Sequence, residues 1–330
     1  MMTVHPQTET QEMLVESSDL LPSTSESNRE KTAETFLEIL GARLRNPNTR
    51  SAYRVAWRSF LQFCSERQLG LEDVKAYRVG AWLDQHSGSR STQRQHLAAV
   101  RLLFDHLMMR GVVEYNPAAR ARPPRLVRES SHTPVFEEAE IVTFLDSINL
   151  SSLKDIRDRA IFCVLLYSWC RVSALINLTV ADYFERAGQR WLRFQEKRGK
   201  EHEVPVHSKA REAIDLWLEA SGLASNSAAP IFPAFGNDRE TIELKRLDRR
   251  SILKLVAKRA SANGIIKRVC CHSFRATGIT EYMNSGGTIE IAQQIAGHKS
   301  SSTTRIYDRS RDLLTIEEIE RVKIGQKQKL

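Results

Sequence analysis

Long apolar runs are missing from this 330-residue chain. No stretch approaches the ~18 uncharged apolar residues that a membrane-spanning helix needs. Cysteine is scarce: Cys64, Cys163, Cys170, Cys270 and Cys271 are odd in number and never form a C-x-x-C pair. A disulfide scaffold is therefore excluded, and a reducing, cytoplasmic setting is expected. Cys270, Cys271 and His272 stand side by side, but no second C-x-x-C or H-x-x-H pair accompanies them, so no metal is assigned. The first residues lack a basic stretch followed by an apolar block, so no secretory leader is expected. Internal repeats are absent. The length leaves room for about two domains.

Charge is present, and it is uneven. The whole chain carries +9, whereas residues 1–30 hold six acids against Arg29 alone, a net of −5. The remainder therefore carries +14. Such a surplus suits an anionic partner such as nucleic acid. Residues 1–32 are rich in Ser, Thr, Glu and Gln without a sustained period, and read as a disordered acidic tail.

Residues 33–117 read as a helical domain. Tyr53, Trp57, Phe60, Leu61 and Cys64 recur at steps of three and four, which predicts a helix over 51–65. Thr49 is its expected cap, after the turn-like Asn46-Pro47-Asn48. A second helix is expected from Ser91 to Met109, with Val100, Leu103, Phe104 and Leu107 facing a core and Gly111 ending it. Arg50, Arg54 and Arg58 flank the first apolar face; Arg90, Arg94 and Arg101 flank the second. Stripes of this kind are usually solvated helix faces. Their repetition on two helices, within a stretch holding 16 Lys/Arg against 7 Asp/Glu over 41–130, favours a DNA-binding module. Residues 118–134 contain Pro123, Pro124 and Pro134 with Arg120, Arg122, Arg125 and Arg128. They read as a stiff linker whose charge, Arg125 included, suits a duplex.

A second domain is expected over 135–312. Residues 155–169, with the apolar run Ala160, Ile161, Phe162, Val164, Leu165 and Leu166, predict a buried helix. Trp191–Gln195 and Val204–Val206 predict two short strands around Arg198-Gly199. Further helices are expected at 137–148, 210–220, 251–262, around His272, at 288–296 and around Tyr307. Residues 313–330 carry Leu314, Ile316, Ile319, Val322 and Ile324 among charges, a terminal amphipathic helix suited to docking onto a neighbouring protomer.

Within this domain Arg171 lies embedded in apolar sequence and needs an anionic partner, either an acid such as Asp182 or an external anion. His272-x-x-Arg275, Gly297-His298 and Tyr307 at nine residues from His298 follow in order. Each element alone is weak, since two fixed residues recur by chance and a tyrosine beside Ile306 is most often packed. The segments Cys271-His272-Ser273-Phe274-Arg275-Ala276-Thr277, Ile295-Ala296-Gly297-His298-Lys299-Ser300 and Thr303-Thr304-Arg305-Ile306-Tyr307 together resemble the tyrosine recombinase (phage integrase) family. Arg171-Val172-Ser173-Ala174-Leu175-Ile176-Asn177-Leu178 is similar to its first arginine box. Lys197 to Val206 resembles its β-hairpin lysine segment, Asn48-Thr49-Arg50 the start of its core-binding domain, and Tyr115-Asn116-Pro117 the end of that domain. The likeness spans about residues 33–312. Two departures stand out: the family usually has an acid where Ala174 stands, and smaller residues where Trp169-Cys170 stand.

The resemblance implies a mostly α protein with a small β-sheet in the catalytic domain. It implies a two-domain, C-shaped DNA clamp made of a helical, SAM-like core-binding domain and an α+β catalytic domain. It implies a site-specific recombinase that cleaves and rejoins duplex DNA through a 3′-phosphotyrosyl link, without a cofactor. Tyr307 would be the nucleophile and Arg171, Arg275 and His298 would hold the phosphate. Lys197 (or Lys200) would protonate the leaving oxygen, and His272 would serve as acid/base or buttress. The expected partners are double-stranded DNA, three further copies on two DNA sites, and accessory DNA-bending proteins. Two other readings are a topoisomerase of type IB character that relaxes strands and a catalytically impaired DNA-binding protein of the same fold.

Overall fold

The computed structural model describes residues 26–123, 133–195, 201–238 and 240–298, together with Thr304. The chain divides into two compact units, Met1–Val127 and Arg128–Leu330.

The first unit is helical: α1 (Glu26–Glu38), a π-helical turn (Ile39–Arg43), α2 (Pro47–Ser65), α3 (Ala76–Asp84) and α4 (Arg90–Met109). Helix α1 begins inside the stretch expected to be a disordered tail, which is a correction. The acidic tail composition extends into α1, but packing overrides it. Phe36, Ile39 and Leu40 are buried, and Phe36 meets Trp57 with ring centroids 5.2 Å apart. Arg110 ties α1 to the end of α4 through Glu34 and Glu38, the latter at 3.0 Å.

Helix α2 buries the predicted face of Trp57, Phe60, Leu61 and Cys64. Its cap is Asn46 rather than Thr49. The Asn46 carboxamide accepts from the amides of Asn48 and Thr49 at 2.9 and 3.3 Å, and Pro47 occupies the first helical position, where its missing N–H costs nothing. Phe60 stands edge-on to both Trp82 of α3 and Phe104 of α4. The Trp57 indole donates to the Ala99 carbonyl at 2.8 Å, so the aromatic that fills this core also keeps its polar atom satisfied. Ser89 caps α4, and Gly111 follows it at φ +67°, a conformation suited to glycine.

The second unit contains α5 (Glu138–Asp146), α6 (Leu153–Ser168) and α7 (Val172–Asn177). Three antiparallel strands follow, β1 (Tyr183–Arg186), β2 (Gln189–Gln195) and β3 (Glu201–Pro205). Then come α8 (Ser208–Ser221), the pair β4 (Pro233–Phe235) and β5 (Ile242–Arg246), α9 (Arg249–Ala262), α10 (Cys271–Asn284) and α11 (Ile289–Ala296). The mostly helical fold with small antiparallel sheets is the expected one. Strands β1, β4 and β5 were not expected: all are short, and β1 and β5 are rich in charge. Strand β1 joins β2 through Ala187-Gly188, both at positive φ, as a two-residue hairpin turn requires. On the main sheet Leu192, Phe194 and Val204 are buried on one face, while Arg193 and Glu203 pair across the other.

Helix α6 is buried from Ala160 to Leu166, with Ile161, Phe162, Val164 and Leu165 fully enclosed. Phe274 of α10 packs among Phe136, Phe144 and Phe162 at 5.0 to 5.5 Å. Burying such a side chain contributes roughly 1.5–3 kcal/mol. This cluster therefore fixes α10, and with it the two residues flanking Phe274 in the candidate site, His272 and Arg275.

Candidate active site

Three element ends supply the site. Helix α6 stops at Ser168, and Trp169 takes the left-handed conformation (φ 52°). Arg171 then becomes the N-cap residue of α7. A bulky residue at positive φ is uncommon and costs of order 1–3 kcal/mol. Its burial and its edge-on contact with Tyr282 at 5.4 Å offset that cost. The turn it makes brings a half-buried Arg171 out of the core sequence. Asp182, the acid considered as its partner, instead accepts from the amide and hydroxyl of Thr179, both at 2.8 Å.

His272 and Arg275 stand one turn apart at the start of α10, on the same side of the helix. Arg275 is 1 % exposed. Its Nη1 donates to the Trp169 carbonyl and its Nη2 to the Ala296 carbonyl at 2.7 Å. The guanidinium is thus anchored by main-chain oxygens from two other elements. The same stretch that presents Arg171 also fixes Arg275.

Helix α11 ends at Ala296, and Gly297 (φ 60°) turns the chain into His298. The His298 amide donates to the Gln293 carbonyl at 3.1 Å, and the His298 carbonyl accepts from the Gln293 carboxamide at 3.1 Å. Nδ1 of His298 lies 2.9 Å from the hydroxyl of Thr304, and both residues are buried.

Electrostatics show that these groups converge. Burial pushes the His298 imidazole down to about 3, and Arg275, Arg171 and His272 push in the same direction. His272 is lowered by desolvation first, then by Arg275 and Arg171, although it keeps an exposed edge. Both imidazoles therefore sit in the field of both guanidinium groups and are neutral near pH 7. Such a cluster is suited to receive an anion. Ala174, where the resembled family usually has an acid, is buried at 5 % exposure.

Of the site residues expected from sequence, the structure brings Arg171, His272, Arg275 and His298 together. Tyr307, Lys197, Lys200 and Arg125 lie outside the described residues. The described strands end at Gln195 and Glu201 on either side of the lysine segment, and those two residues pair in register. In the first unit Arg58, Arg90 and Arg94 are exposed and Arg54 is half-buried. Arg50 donates to the Leu44 carbonyl. Arg101 donates to the carbonyls of Ala118, at 3.0 Å, and Ala121, which gives it a structural task that the arginine stripe did not reveal. Sequence reading also missed the anchoring carbonyls of Trp169 and Ala296, the hydroxyl of Thr304, and Gly278, which lets α10 approach Trp169 closely. Among the described residues no group of three or more His, Cys, Asp or Glu could hold a metal ion.

Comparison with known proteins places this geometry in a family. Residues 134–313 match the phage integrase family, and residues 33–111 match the phage integrase N-terminal SAM-like domain. Tyrosine recombinase XerC of Leptospira interrogans serogroup Icterohaemorrhagiae serovar copenhageni is 27 % identical over 291 residues, covering 87 % of this chain and 91 % of that protein. XerC of Pelobacter propionicus is 30 % identical over 269 residues, covering 79 % and 84 %. The fold is similar to XerH site-specific recombinase in a post-cleavage complex with a palindromic difH substrate (TM-score 0.66, 17 % identity, 95 % and 96 % of the two chains). It is also similar to lambda integrase in a tetramer bound to a Holliday junction (TM-score 0.64, 17 % identity, 84 % and 80 %). With more than half of its length under one family description, and relatives aligned along most of both chains, this chain belongs to the phage integrase family, the tyrosine recombinases that break and rejoin DNA.

Proposed function

We propose that the cluster of Arg171, His272, Arg275 and His298 is the phosphate seat of a site-specific recombinase and that Tyr307 is its nucleophile. The single observation that carries this is electrostatic. Burial first, and then two permanent cations beside them, hold two imidazoles neutral, and the pentacoordinate phosphorus of strand transfer is an anion that this pair of cations would receive.

The roles follow from chemistry. Tyr307 attacks the scissile phosphorus, its phenolic proton leaves, and the bond to the 5′-oxygen breaks. A 3′-phosphotyrosyl link and a free 5′-hydroxyl result. The link conserves the phosphodiester energy, so a 5′-hydroxyl of another strand can reverse the step without ATP. Arg171 and Arg275 offer planar forks to the two non-bridging oxygens. His298 donates from its other ring nitrogen once Nδ1 is engaged by Thr304. Fixed donors of this kind supply several kcal/mol at the transition state, about 2.7–4 for a single donor. Lys197, with Lys200 as the other candidate, protonates the leaving 5′-oxygen. His272 exchanges or buttresses the proton of Tyr307. No cofactor is implied.

DNA is held in two ways. Residues 33–117 act as a core-binding domain and 135–312 as the catalytic domain, with 118–134 as linker. Helices α2 and α4 support this, since neither has an acid in its first turn, α4 opens with Arg90 and α2 carries Arg50 as its fourth residue. Their positive ends therefore attract phosphate. Arg54, Arg58, Arg90, Arg94 and Arg125 give affinity, whereas Arg50 and Arg101 act through the main-chain carbonyls they hold. Four protomers on two duplexes complete the reaction, residues 313–330 docking onto a neighbour and accessory bending proteins assisting. Action on chromosomal or mobile DNA supports a cytoplasmic setting; no helix of the described residues is long and apolar enough to cross a membrane.

The test is a nicked suicide duplex that traps the covalent intermediate. An SDS-resistant protein–DNA adduct at a defined position is expected. Strand relaxation without sequence preference, or binding without an adduct, would overturn the assignment.

A further inference from the structure

The last turn of α11 is a point of convergence. Four carbonyls at a helix end have no partner within the helix, and the following turn and two other elements reach these. The Gln293 carbonyl accepts from the His298 amide at 3.1 Å, and the Ala296 carbonyl accepts from Nη2 of Arg275 at 2.7 Å. Between them, the Ile295 carbonyl accepts from Nε2 of His202 at 2.9 Å.

His202 belongs to β3, paired with Phe194 of β2. It shares the inner face with Phe194 and Val204, which are buried, and is itself half-buried. It is the first inner-face residue after the connection that carries Lys197 and Lys200. Its donation to a carbonyl fixes the proton on Nε2, a role that a neutral or a charged ring can fill. Strand β3 is thus fastened, through one side chain, to the turn that positions His298 and Arg275.

We infer that His202 is a positioning residue for leaving-group protonation: it registers the lysine-bearing hairpin against the phosphate seat. This rests on the proposed general-acid role of the hairpin lysine. The inference separates two effects that an ordinary structural residue would not separate. Loosening the hairpin harms only the step that needs its proton, whereas the phosphate contacts, built from α7, α10 and α11, remain.

The experiment compares suicide substrates with an ordinary 5′-bridging oxygen and with a 5′-bridging sulfur, which leaves without protonation. His202→Phe keeps a ring and removes the donor; His202→Gln keeps a donor. His202→Phe is expected to cleave the oxygen substrate at least about tenfold more slowly, within the ~10²–10⁴-fold contribution of a general acid. On the sulfur substrate it should come within about threefold of the parent protein, as Brønsted logic for a thiolate leaving group requires. His202→Gln should be near the parent on both, and DNA binding and the thermal midpoint of His202→Phe should stay close to the parent values. Equal loss on both substrates, or no loss on either, overturns the positioning role. Lys197→Ala and Lys200→Ala run beside it. If neither is rescued by sulfur, the general-acid reading fails and the inference fails with it. If one is rescued and His202→Phe is not, only the inference fails.

Discussion

Gly278 lies so close to Trp169 that a Cβ at position 278 would stand 2.2 Å from the indole nitrogen and 2.5 Å from the Leu166 carbonyl oxygen. Helix α10 thus reaches the end of α6 at a separation only glycine permits, and Arg275 can meet the Trp169 carbonyl. Gly278→Ala should destabilise the second unit by about 1–3 kcal/mol, as overpacking does, and should lower cleavage further by displacing Arg275. Trimming Trp169 to Leu in the same chain should recover only part, because the Leu166 carbonyl is backbone. Denaturant unfolding and single-turnover cleavage measure the two effects; an alanine variant with parental stability would show that the helices move apart freely.

Tyr307→Phe should bind its duplex as tightly as the parent and form no SDS-resistant adduct on the suicide substrate, since the phenol oxygen is the proposed nucleophile. An adduct from this variant would assign the nucleophile elsewhere.

His298 gives a pH dependence of defined sign. Its folded value near 3 lies below the ordinary 6.5, so between these values the unfolded chain binds a proton that the folded chain does not. The stability it contributes is present above pH 6.5 and is lost as pH falls toward 3. The urea midpoint should therefore drop more steeply between pH 6.5 and 4 in the parent than in His298→Gln. Bound phosphate opposes the contribution of Arg171 and Arg275 but not that of burial, so DNA binding should raise the His298 value above its free-protein level without restoring the ordinary one. Parallel profiles for parent and variant would refute the buried, neutral imidazole.

The arginines of α2 and α4 should separate into two kinds. Replacing Arg58, Arg90 and Arg94 together with Gln should reduce the slope of log affinity against log salt by about 2–3, at ~0.9 per phosphate contact. Arg101→Gln should instead lower the thermal midpoint and leave that slope unchanged, because its guanidinium holds the carbonyls of Ala118 and Ala121. A normal midpoint for Arg101→Gln, with a reduced slope, would return it to the DNA-contacting set.

Ending the chain after Arg311 should spare cleavage of a single site and abolish recombination between two. Leu314, Ile316, Ile319, Val322 and Ile324 form the apolar stripe proposed to fill a groove on a neighbour. A truncated protein that recombines normally, or one whose monomer melts much earlier, would place that stripe on its own domain.

The sequence disclosed what periodicity and residue order can carry. Trp57, Phe60 and Leu61 announced α2, and the unbroken run through Phe162 and Leu165 announced a buried α6. The order of the motifs also singles out Arg171, His272, Arg275 and His298. Partners made of backbone left no such trace. The Asn46 cap was hidden beside an equally plausible Thr49. The beginning of α1 was obscured by acids that packing against Trp57 overrides. Arg101 looked like its neighbours because nothing in a list of residues says that the chain near Ala118 returns to it. The short strands β1, β4 and β5 were likewise invisible, being too brief to show alternation.

The anchoring of Arg275 by the carbonyls of Trp169 and Ala296 has a consequence for how this site can change over generations. A carboxylate partner can be lost by one nucleotide substitution, and its replacement leaves a trace as a correlated pair of positions. A carbonyl belongs to every amino acid, so positions 169 and 296 can drift in identity while the acceptor stays. The grip on Arg275 is inherited through the path of the main chain. A survey of co-varying side chains would pass over it.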